Sequence, residues 1–436
     1  MEVTEKTKGR CAGGGGEGRA LIPGLPDEIA MECLVRVSCQ FHSNMKSVCH
    51  SWQSLISSPL FYRERIKSGA AEHLVCLIQP MSGFPPPDSI HGNQGDGVCG
   101  RAEAGVKKEE EEEDEDDRRN QQQGQCGMSI YNETRGTWHR IRPKVGRIPM
   151  FCQCLALGSS GKLMLLGGWD PVTLEPVPNV YILDLVSGGG SWRRAAPMSV
   201  PRSFFACAVV SGTKVYVAGG HDDQKNALRS AEVYDVEEDR WEMLPDMAEE
   251  RDECQGLSWD GDSRFWVVSG YGTERQGEFG SDAECYDPET GSWYKVEGVW
   301  PFSRTSPRGC TAAVSSGQQR QWWWFLGSEQ EEQQQHEEAK EKPWRTVSSI
   351  KLSRSIIGTP PCVTNLAYGT REDGHRVFVM SSRGGGGGGG DNCGGGCEGE
   401  TGFIMERERN GNTKWNHVHT PMEFSGFPFS ASSFIV

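Results

Sequence analysis

The stretch Lys214–Trp241, KVYVAGGHDDQKNALRSAEVYDVEEDRW, decides the fold. A short apolar strand, Val215–Ala218, runs into Gly219-Gly220. A polar loop follows, a second strand ends at Tyr234-Asp235, and a turn leads to Trp241. Similar pieces recur on either side. Gly168, Gly220 and Gly270 end strand-like runs 52 and 50 residues apart, and Trp138, Trp192, Trp241, Trp293 and Trp344 step by 54, 49, 52 and 51 residues. A repeat of that length, apolar strand to glycine to tryptophan, is one propeller blade.

Each residue type has a task in such a blade. Val215, Tyr216, Val217 and Ala218 are apolar on both faces, as a strand sandwiched between neighbouring blades must be. Paired glycines allow positive φ and close backbone approach where the chain leaves that strand. Tyr234 and Trp241 suit packing between blades with a polar edge left over. Asp235 can bond its own backbone and start a turn.

Composition narrows the class. The 436-residue chain carries a net charge of −15, and Glu109–Asp117 supplies nine of the negative charges. The remainder is mildly acidic, which argues against a nucleic-acid surface. The N-terminus is charged and glycine-rich, unlike a signal peptide. Many of the sixteen cysteines, among them Cys33, Cys49, Cys76, Cys152 and Cys207, sit inside apolar runs, where thiols act as small hydrophobes. A reduced intracellular protein is expected, with no membrane span.

In chain order, Met1–Ala20 reads as a disordered arm. Leu21–Lys67 reads as a short helical module. Pro26 suits a first turn, with Asp27 and Glu28 complementing its dipole. Ile29, Cys33, Leu34 and Val37 form one apolar stripe; Met45, Val48, Cys49, Trp52 and Ile56 form another. Fewer than about 50 residues are marginal for an independent core, so this is either a helical cap on the propeller or a module with apolar residues awaiting a partner.

These residues carry a resemblance. Leu25-Pro26-Asp27-Glu28-Ile29, Cys33-Leu34, Val48-Cys49 and Ser51-Trp52 resemble an F-box, and the glycine–tryptophan repeats resemble kelch repeats. The chain resembles the plant F-box/kelch-repeat proteins, nearest to the KISS ME DEADLY group, also described as Skp-interacting partners. The runs RSFFACA (Arg202–Ala208), GGHDDQKNALRSAEVYDVEEDR (Gly219–Arg240), RDEC (Arg251–Cys254) and SGYGTERQGEF (Ser269–Phe279) carry it as well. The fold class expected is therefore mainly β, a six-bladed kelch β-propeller over residues 74–436 preceded by a small all-α F-box module over 21–67.

The blades are placed as follows. Leu74–Gln79 and Ser129–Ile141 belong to the first, with the low-complexity insert 80–125 between them. Phe151–Arg194, Phe204–Leu244, Cys254–Val296 and Gly309–Ile350 are the next four, the last interrupted by the polar insert 329–342. Cys362–Val418 is the sixth, interrupted by the glycine-rich insert 384–400. The first blade lacks an innermost strand before Leu74, and Ser430–Val436 can supply it and close the ring.

No catalytic constellation emerges: GxSxG, P-loop and HExxH are absent from the sequence. Cys393 and Cys397 lack a second ligand pair and lie in polyglycine. Cys152 and Cys154 share a strand face, as core residues do. Some kelch propellers are copper oxidases, but no Cys/Tyr/His ligand set can be assigned. Neither cofactor nor metal is expected.

A binding rim can be placed. Arg147, Arg202 and Arg251 follow Trp138, Trp192 and Trp241 by 9, 10 and 10 residues, and Arg308 precedes Gly327 by 19. Trp169, His221 and Tyr271 directly follow the strand-ending glycines and should share that face. Arginines with aromatics suit an acidic or phosphorylated peptide. The same arginines would also serve to tie loops together across blades, and the sequence leaves both open.

The resemblance implies a substrate receptor. The F-box docks on a Skp-type adaptor, and through it on cullin and RING subunits, using Leu25, Pro26, Ile29, Leu34, Val48 and Trp52. The propeller holds the target, and other subunits perform the chemistry by proximity. The implied targets are phenylalanine ammonia-lyase and type-B response regulators, restraining phenylpropanoid synthesis and cytokinin signalling in cytoplasm and nucleus. The alternative is a kelch scaffold with no ligase role.

Overall fold

The computed structural model describes residues 20–81, 126–141, 146–158, 161–185, 191–259, 261–316, 319–325, 361–366, 374–381, 402–408 and 412–436. The expectations of disorder for Met1–Ala20 (save Ala20 itself) and for the inserts 80–125 (from residue 82), 329–342 and 384–400 fall outside them. The chain divides into two compact units, with the boundary between Ala71 and Glu72.

The first unit is helical: α1 (Asp27–Val35), α2 (His42–Lys46), α3 (His50–Ile56) and α4 (Pro59–Lys67). Pro26 caps α1 with φ −57°, and Asp27 and Glu28 occupy its first turn, where the helix dipole favours negative charge. Ser58 caps α4 by accepting from the Phe61 N–H, with Pro59 just inside. Ala30, Leu34, Val35, Met45, Ile56 and Phe61 form a small core. Arg65 is buried inside it and donates to the carbonyls of Val35 and Val37, each at 2.6 Å. A core this small uses that guanidinium as a staple between the end of α1 and α4.

Among its described residues, the second unit is built of β-strands, with two short 3-10 turns at Thr273–Arg275 and Met422–Phe424. Its strands are β1 (His73–Pro80), β2 (Cys126–Asn132), β3 (Thr137–Ile141), β4 (Gln153–Ala156), β5 (Lys162–Leu166), β6 (Val180–Asp184), β7 (Ser191–Arg194), β8 (Ala206–Val210), β9 (Lys214–Ala218), β10 (Ala231–Asp235) and β11 (Arg240–Leu244). There follow β12 (Gln255–Leu257), β13 (Phe265–Val268), β14 (Ala283–Asp287), β15 (Ser292–Val296), β16 (Thr311–Ser316), β17 (Gln319–Trp324), β18 (Cys362–Asn365), β19 (Gly374–Met380), β20 (Gly402–Glu408), β21 (Thr413–Val418) and β22 (Ser430–Ile435). They form antiparallel meanders β4–β7, β8–β11, β12–β15 and β18–β21, and the mixed-origin sheet β22-β1-β2-β3.

These are five four-stranded blades, plus the two-stranded sheet β16–β17. The expectation of six full blades is corrected accordingly. It counted an outer half after Phe325 on the strength of Trp344, and that segment lies outside the described residues. The innermost strands β22, β4, β8, β12, β16 and β18 pack side by side in that cyclic order. They surround a central channel of about 530 Å³, walled by backbone and by small or polar side chains such as Gln153, Gln255, Thr311 and Ser432.

The closing strand comes from the chain end, as expected from the sequence. His73 to Ile78 of β1 pair with Ile435 to Ser430 of β22. Ser430 and Ser432 turn their hydroxyls to the next blade and accept from the N–H groups of Cys154 and Ala156, at 2.9 and 2.8 Å.

Hydrophobic clusters lie between successive blades. Met164, Leu166 and Ile182 pack on Phe205, Val215 and Val217. Tyr216 and Ala218 pack on Phe265, Val267 and Tyr286. This explains strands apolar on both faces. The repeated tryptophans have a more specific task than filling space. Trp241 stacks near Tyr234, at 5.1 Å between rings, and its indole N–H donates to Ala196 O of the preceding blade at 2.8 Å. Trp293 and Trp138 do the same toward Pro245 O and His419 O. Asp235 Oδ1 accepts from the N–H groups of Glu237 and Glu238, the expected turn start.

Candidate functional site

Two surfaces qualify, and each is built from short-range chemistry. On the helical unit, Leu25 (39% exposed), Ile29 (52%) and Val48 (62%) are apolar side chains left in solvent. Pro26 is exposed beside Leu25, and Cys33, one helical turn on from Ile29, is exposed too. Such a concentration on a unit this small makes it a candidate interaction surface. Two residues expected there stand elsewhere. Leu34 is 2% exposed and belongs to the unit's own core, because it lies on the opposite face of α1 with Ala30. Trp52 is half-buried, its indole N–H given to Leu21 O at 2.7 Å, which ties the segment before α1 to α3. Phe41, 49% exposed, joins the exposed set. In the sequence it falls between the two helical stripes and carries no periodic signal.

On the propeller, the seven rim residues separate. The isolated bridges Met150–Trp169, Ser203–His221 and Asp252–Tyr271 set a common register for the loops entering β4, β8 and β12. In that register Arg202 and Arg251 are equivalent, and the corresponding residue before β4 is Pro149. Arg147 lies two residues earlier and is exposed. Arg308 is one residue later, equivalent to Ser203 and Asp252, three positions before its strand.

Arg202 and Arg251 do not line a rim. They are 0% and 2% exposed. Arg202 donates to Gly219 O and Ser230 O, each at 2.9 Å, and to Glu232 at 2.9 Å. Arg251 repeats this with Ser269 O at 2.9 Å, Glu284 at 3.1 Å, and Asp282. Glu232 also accepts from the N–H groups of Ser199 and Val200, and Glu284 from those of Ala248 and Glu249. Each arginine thus clamps the end of its blade's second strand to its third strand. Burial lowers the Arg202 pKa, with Glu232 opposing; at Arg251 burial is outweighed by Asp282 and Glu284, which leave it raised. The loop-tying alternative therefore describes these two arginines. The glutamates were legible in the paired runs AEVYD and AECYD.

The double glycines fit this frame. A Cβ on Gly219 would stand 2.4 Å from Arg251 O, and one on Gly220 2.3 Å from Ser203 O. The carbonyl of each arginine accepts from the preceding blade's glycine N–H: Gly168 to Arg202 O at 3.2 Å, Gly220 to Arg251 O at 2.8 Å.

His221 and Asp252 form a buried dyad, Nδ1 to Oδ2 at 2.9 Å. It cannot serve as a general base. The Trp169 indole, which can only donate, occupies Nε2 at 3.2 Å, so the ring has no free lone pair. Tyr271 is 8% exposed, its hydroxyl on Glu253 at 3.2 Å. Trp169 and Arg308 are half-buried and remain reachable from solvent.

Among the described residues no group of three or more His, Cys, Asp or Glu could hold a metal ion. Cys154 Sγ lies 3.7 Å from Cys76 Sγ, and that contact and burial push its pKa well up, as for a core thiol. Cys393 and Cys397 lie outside the described residues. Among the described residues, no helix is long and apolar enough to cross a membrane.

Comparison with known families identifies both modules. The F-box domain model matches residues 22–64, and the kelch motif model matches residues 202–248. The chain is 47% identical over 447 residues to the F-box/kelch-repeat protein SKIP20 of Arabidopsis thaliana, covering 100% of both chains. A second Arabidopsis F-box/kelch-repeat protein is 43% identical over 446 residues, again covering 100% of both. A third is 37% identical over 277 residues, 63% of this chain and 68% of that one. With both motifs matched and full-length identity of this degree, the chain belongs to the plant F-box/kelch-repeat proteins.

Proposed function

We propose that this chain is the substrate receptor of an SCF-type ubiquitin ligase, with no catalytic role of its own. The observation that carries the reading is the apolar set Leu25, Pro26, Ile29 and Val48 left exposed on an F-box unit that is joined to a kelch propeller. A Skp-type adaptor covers that set and recruits cullin and RING subunits. The propeller holds a target so that a charged ubiquitin conjugate meets its lysines at high effective concentration. The targets we propose are phenylalanine ammonia-lyase and type-B response regulators, so that the ligase restrains phenylpropanoid synthesis and cytokinin signalling, acting in cytoplasm and nucleus.

The test is reconstitution. The full chain is co-expressed with a Skp-type adaptor, cullin and RING subunit, and each target is added with ubiquitin and its activating and conjugating enzymes. Chain-dependent ubiquitination of the target supports the reading. Failure to co-purify with the adaptor would leave a kelch scaffold without a ligase role.

A further inference from the structure

The mouth of the channel holds aromatic side chains that the blade architecture does not require. The residues two positions before β4, β8, β12 and β16 are Phe151, Phe204, Glu253 and Gly309, with φ of 57°, 54°, 50° and 69°. Glycine adopts this conformation freely, as Gly309 does; a bulky side chain there is strained, and such positions concentrate at ligand clamps. Phe151 and Phe204 nonetheless stand there with ring centres 4.9 Å apart, and Phe429, just before β22, meets Phe151 at 4.6 Å. All three rings are half-buried, so they form a shelf with one side in solvent.

Arg308 reaches this shelf from the loop before β16, two blades on from Phe204, and its guanidinium lies 4.3 Å from the Phe204 ring centre. It differs from the other inward arginines. Arg202, Arg251 and Arg376 each hold carboxylates. Among the described residues, the Arg308 guanidinium has neither hydrogen bond nor ion pair. The nearby acids are engaged elsewhere: Glu253 with the Tyr271 hydroxyl, Asp252 with His221. Lys225, 5.7 Å over the Trp169 ring, adds a second cation at the shelf's edge.

We propose that this axial mouth binds an acidic–apolar segment of the target protein, one Asp or Glu carboxylate on Arg308 and a neighbouring Leu or Phe on the shelf of Phe151, Phe204 and Phe429. A planar guanidinium stacked on a ring presents its N–H edge for bidentate capture of a carboxylate. The aromatic shelf beside it supplies the rigid apolar anchor of an interface hot spot. A carboxylate is favoured over a phosphate because Glu253 stands beside the site and repels a dianion more strongly. The inference rests on the substrate-receptor reading and names the class of segment received.

The test uses the full chain purified with its adaptor, and short fluorescent peptides of four kinds: Asp or Glu beside Leu or Phe, the same with Asn or Gln, the same with phosphoserine, and the same with Lys. Binding is followed by anisotropy. The acidic peptides should bind at least about tenfold better than the amide ones. Arg308→Ala should weaken them by about thirtyfold, the loss typical of an interface anchor. Arg308→Lys should recover only part of it, lacking the fork. Arg308→Gln, which keeps a planar head for the stack, guards against misfolding and should match the alanine variant. Equal binding of acid and amide peptides, a preference for phosphoserine, or unchanged binding by the Arg308 variants would overturn the proposal. Adaptor co-purification is scored in the same preparations. Its failure in the wild-type protein would sink the receptor reading, whereas lost peptide selection with the adaptor still bound would sink this inference alone.

Discussion

Arg202 and Glu232 form an ion pair, Nη2 to Oε1 at 2.9 Å, with both side chains 0% exposed. Glu232 is further held by the Ser199 and Val200 N–H groups, so the pair closes a network that crosses one blade from entry loop to third strand. Removing one member of such a pair leaves the other charge buried alone, which costs about 3–5 kcal/mol. Arg202→Ala should therefore lower the unfolding free energy of the propeller by that amount, read as a lower urea midpoint, and Arg251→Ala should do likewise through Glu284. Loss of target binding by either variant at unchanged stability would return these arginines to the binding surface.

Ring closure makes a second prediction. Truncation after Phe429 removes β22, opens the edge of β1, and strips Cys154 and Ala156 of the hydroxyls that accept their N–H groups. An opened edge pairs with other chains. Aggregation or rapid proteolysis of the truncated chain is expected. The milder Ser430→Ala should cost about 1–3 kcal/mol, the penalty for the buried Cys154 N–H left unpaired. A monomeric truncation with unchanged melting would show that the ring is held without its clasp.

The blade was legible because its period depends on residues that must be particular types. Gly219 and Gly220 admit no Cβ, and Trp241 must reach the carbonyl of the previous blade while packing on Tyr234. The sequence left the arginines open between binding and loop-tying because spacing from the tryptophans fixes register only to within a residue or two. One residue separates Arg202, clamped inside, from the position of Arg308, which reaches the mouth. The phenylalanine shelf was invisible for another reason: Phe151 and Phe204 read as ordinary strand-entry hydrophobes until positive φ is known. Leu34 was misplaced because Ile29, Cys33 and Leu34 of the first apolar stripe lie on two faces of α1, and Val37 lies beyond its end.

Alkali should loosen the propeller through its buried thiols. Burial pushes Cys254 up to about 11 and Cys362 and Cys126 up to about 12, from an ordinary value of 9.0. These groups stay protonated in the fold when the unfolded chain has begun to ionise. Their contribution is therefore fully present below pH 9 and is lost as pH rises toward 11 to 12. Each thiol should cost about 1.4 kcal/mol per pH unit in that window. Melting temperatures measured from pH 7.5 to 10.5 should fall beyond pH 9, and fall less in Cys254→Ala. A flat profile would mean that these thiols are solvated in the folded state.

The last prediction concerns the adaptor face. Leu25, Ile29 and Val48 are 39%, 52% and 62% exposed, and none belongs to the core of the helical unit, so their truncation leaves that core intact. Replacing Leu25-Pro26 by Ala-Ala, or Ile29 by Asp, should weaken adaptor binding by about thirtyfold or more, the loss expected of an interface anchor. Leu34→Ala is the contrasting case. It empties a site at the centre of the helical core and should unfold that unit at a cost of about 2–5 kcal/mol. Cys33 and Cys49 give an independent readout, since both are exposed and open to alkylation. In the free chain they should label quickly, and with adaptor bound they should be protected, while Cys76 and Cys154 stay inert in both. In cells the Leu25-Pro26 variant should keep its target bound and undegraded. Full adaptor binding by that variant, or unprotected Cys33 in the complex, would place the adaptor elsewhere on the unit. Parallel loss of target binding would instead show that the helical unit shapes the propeller's own binding surface.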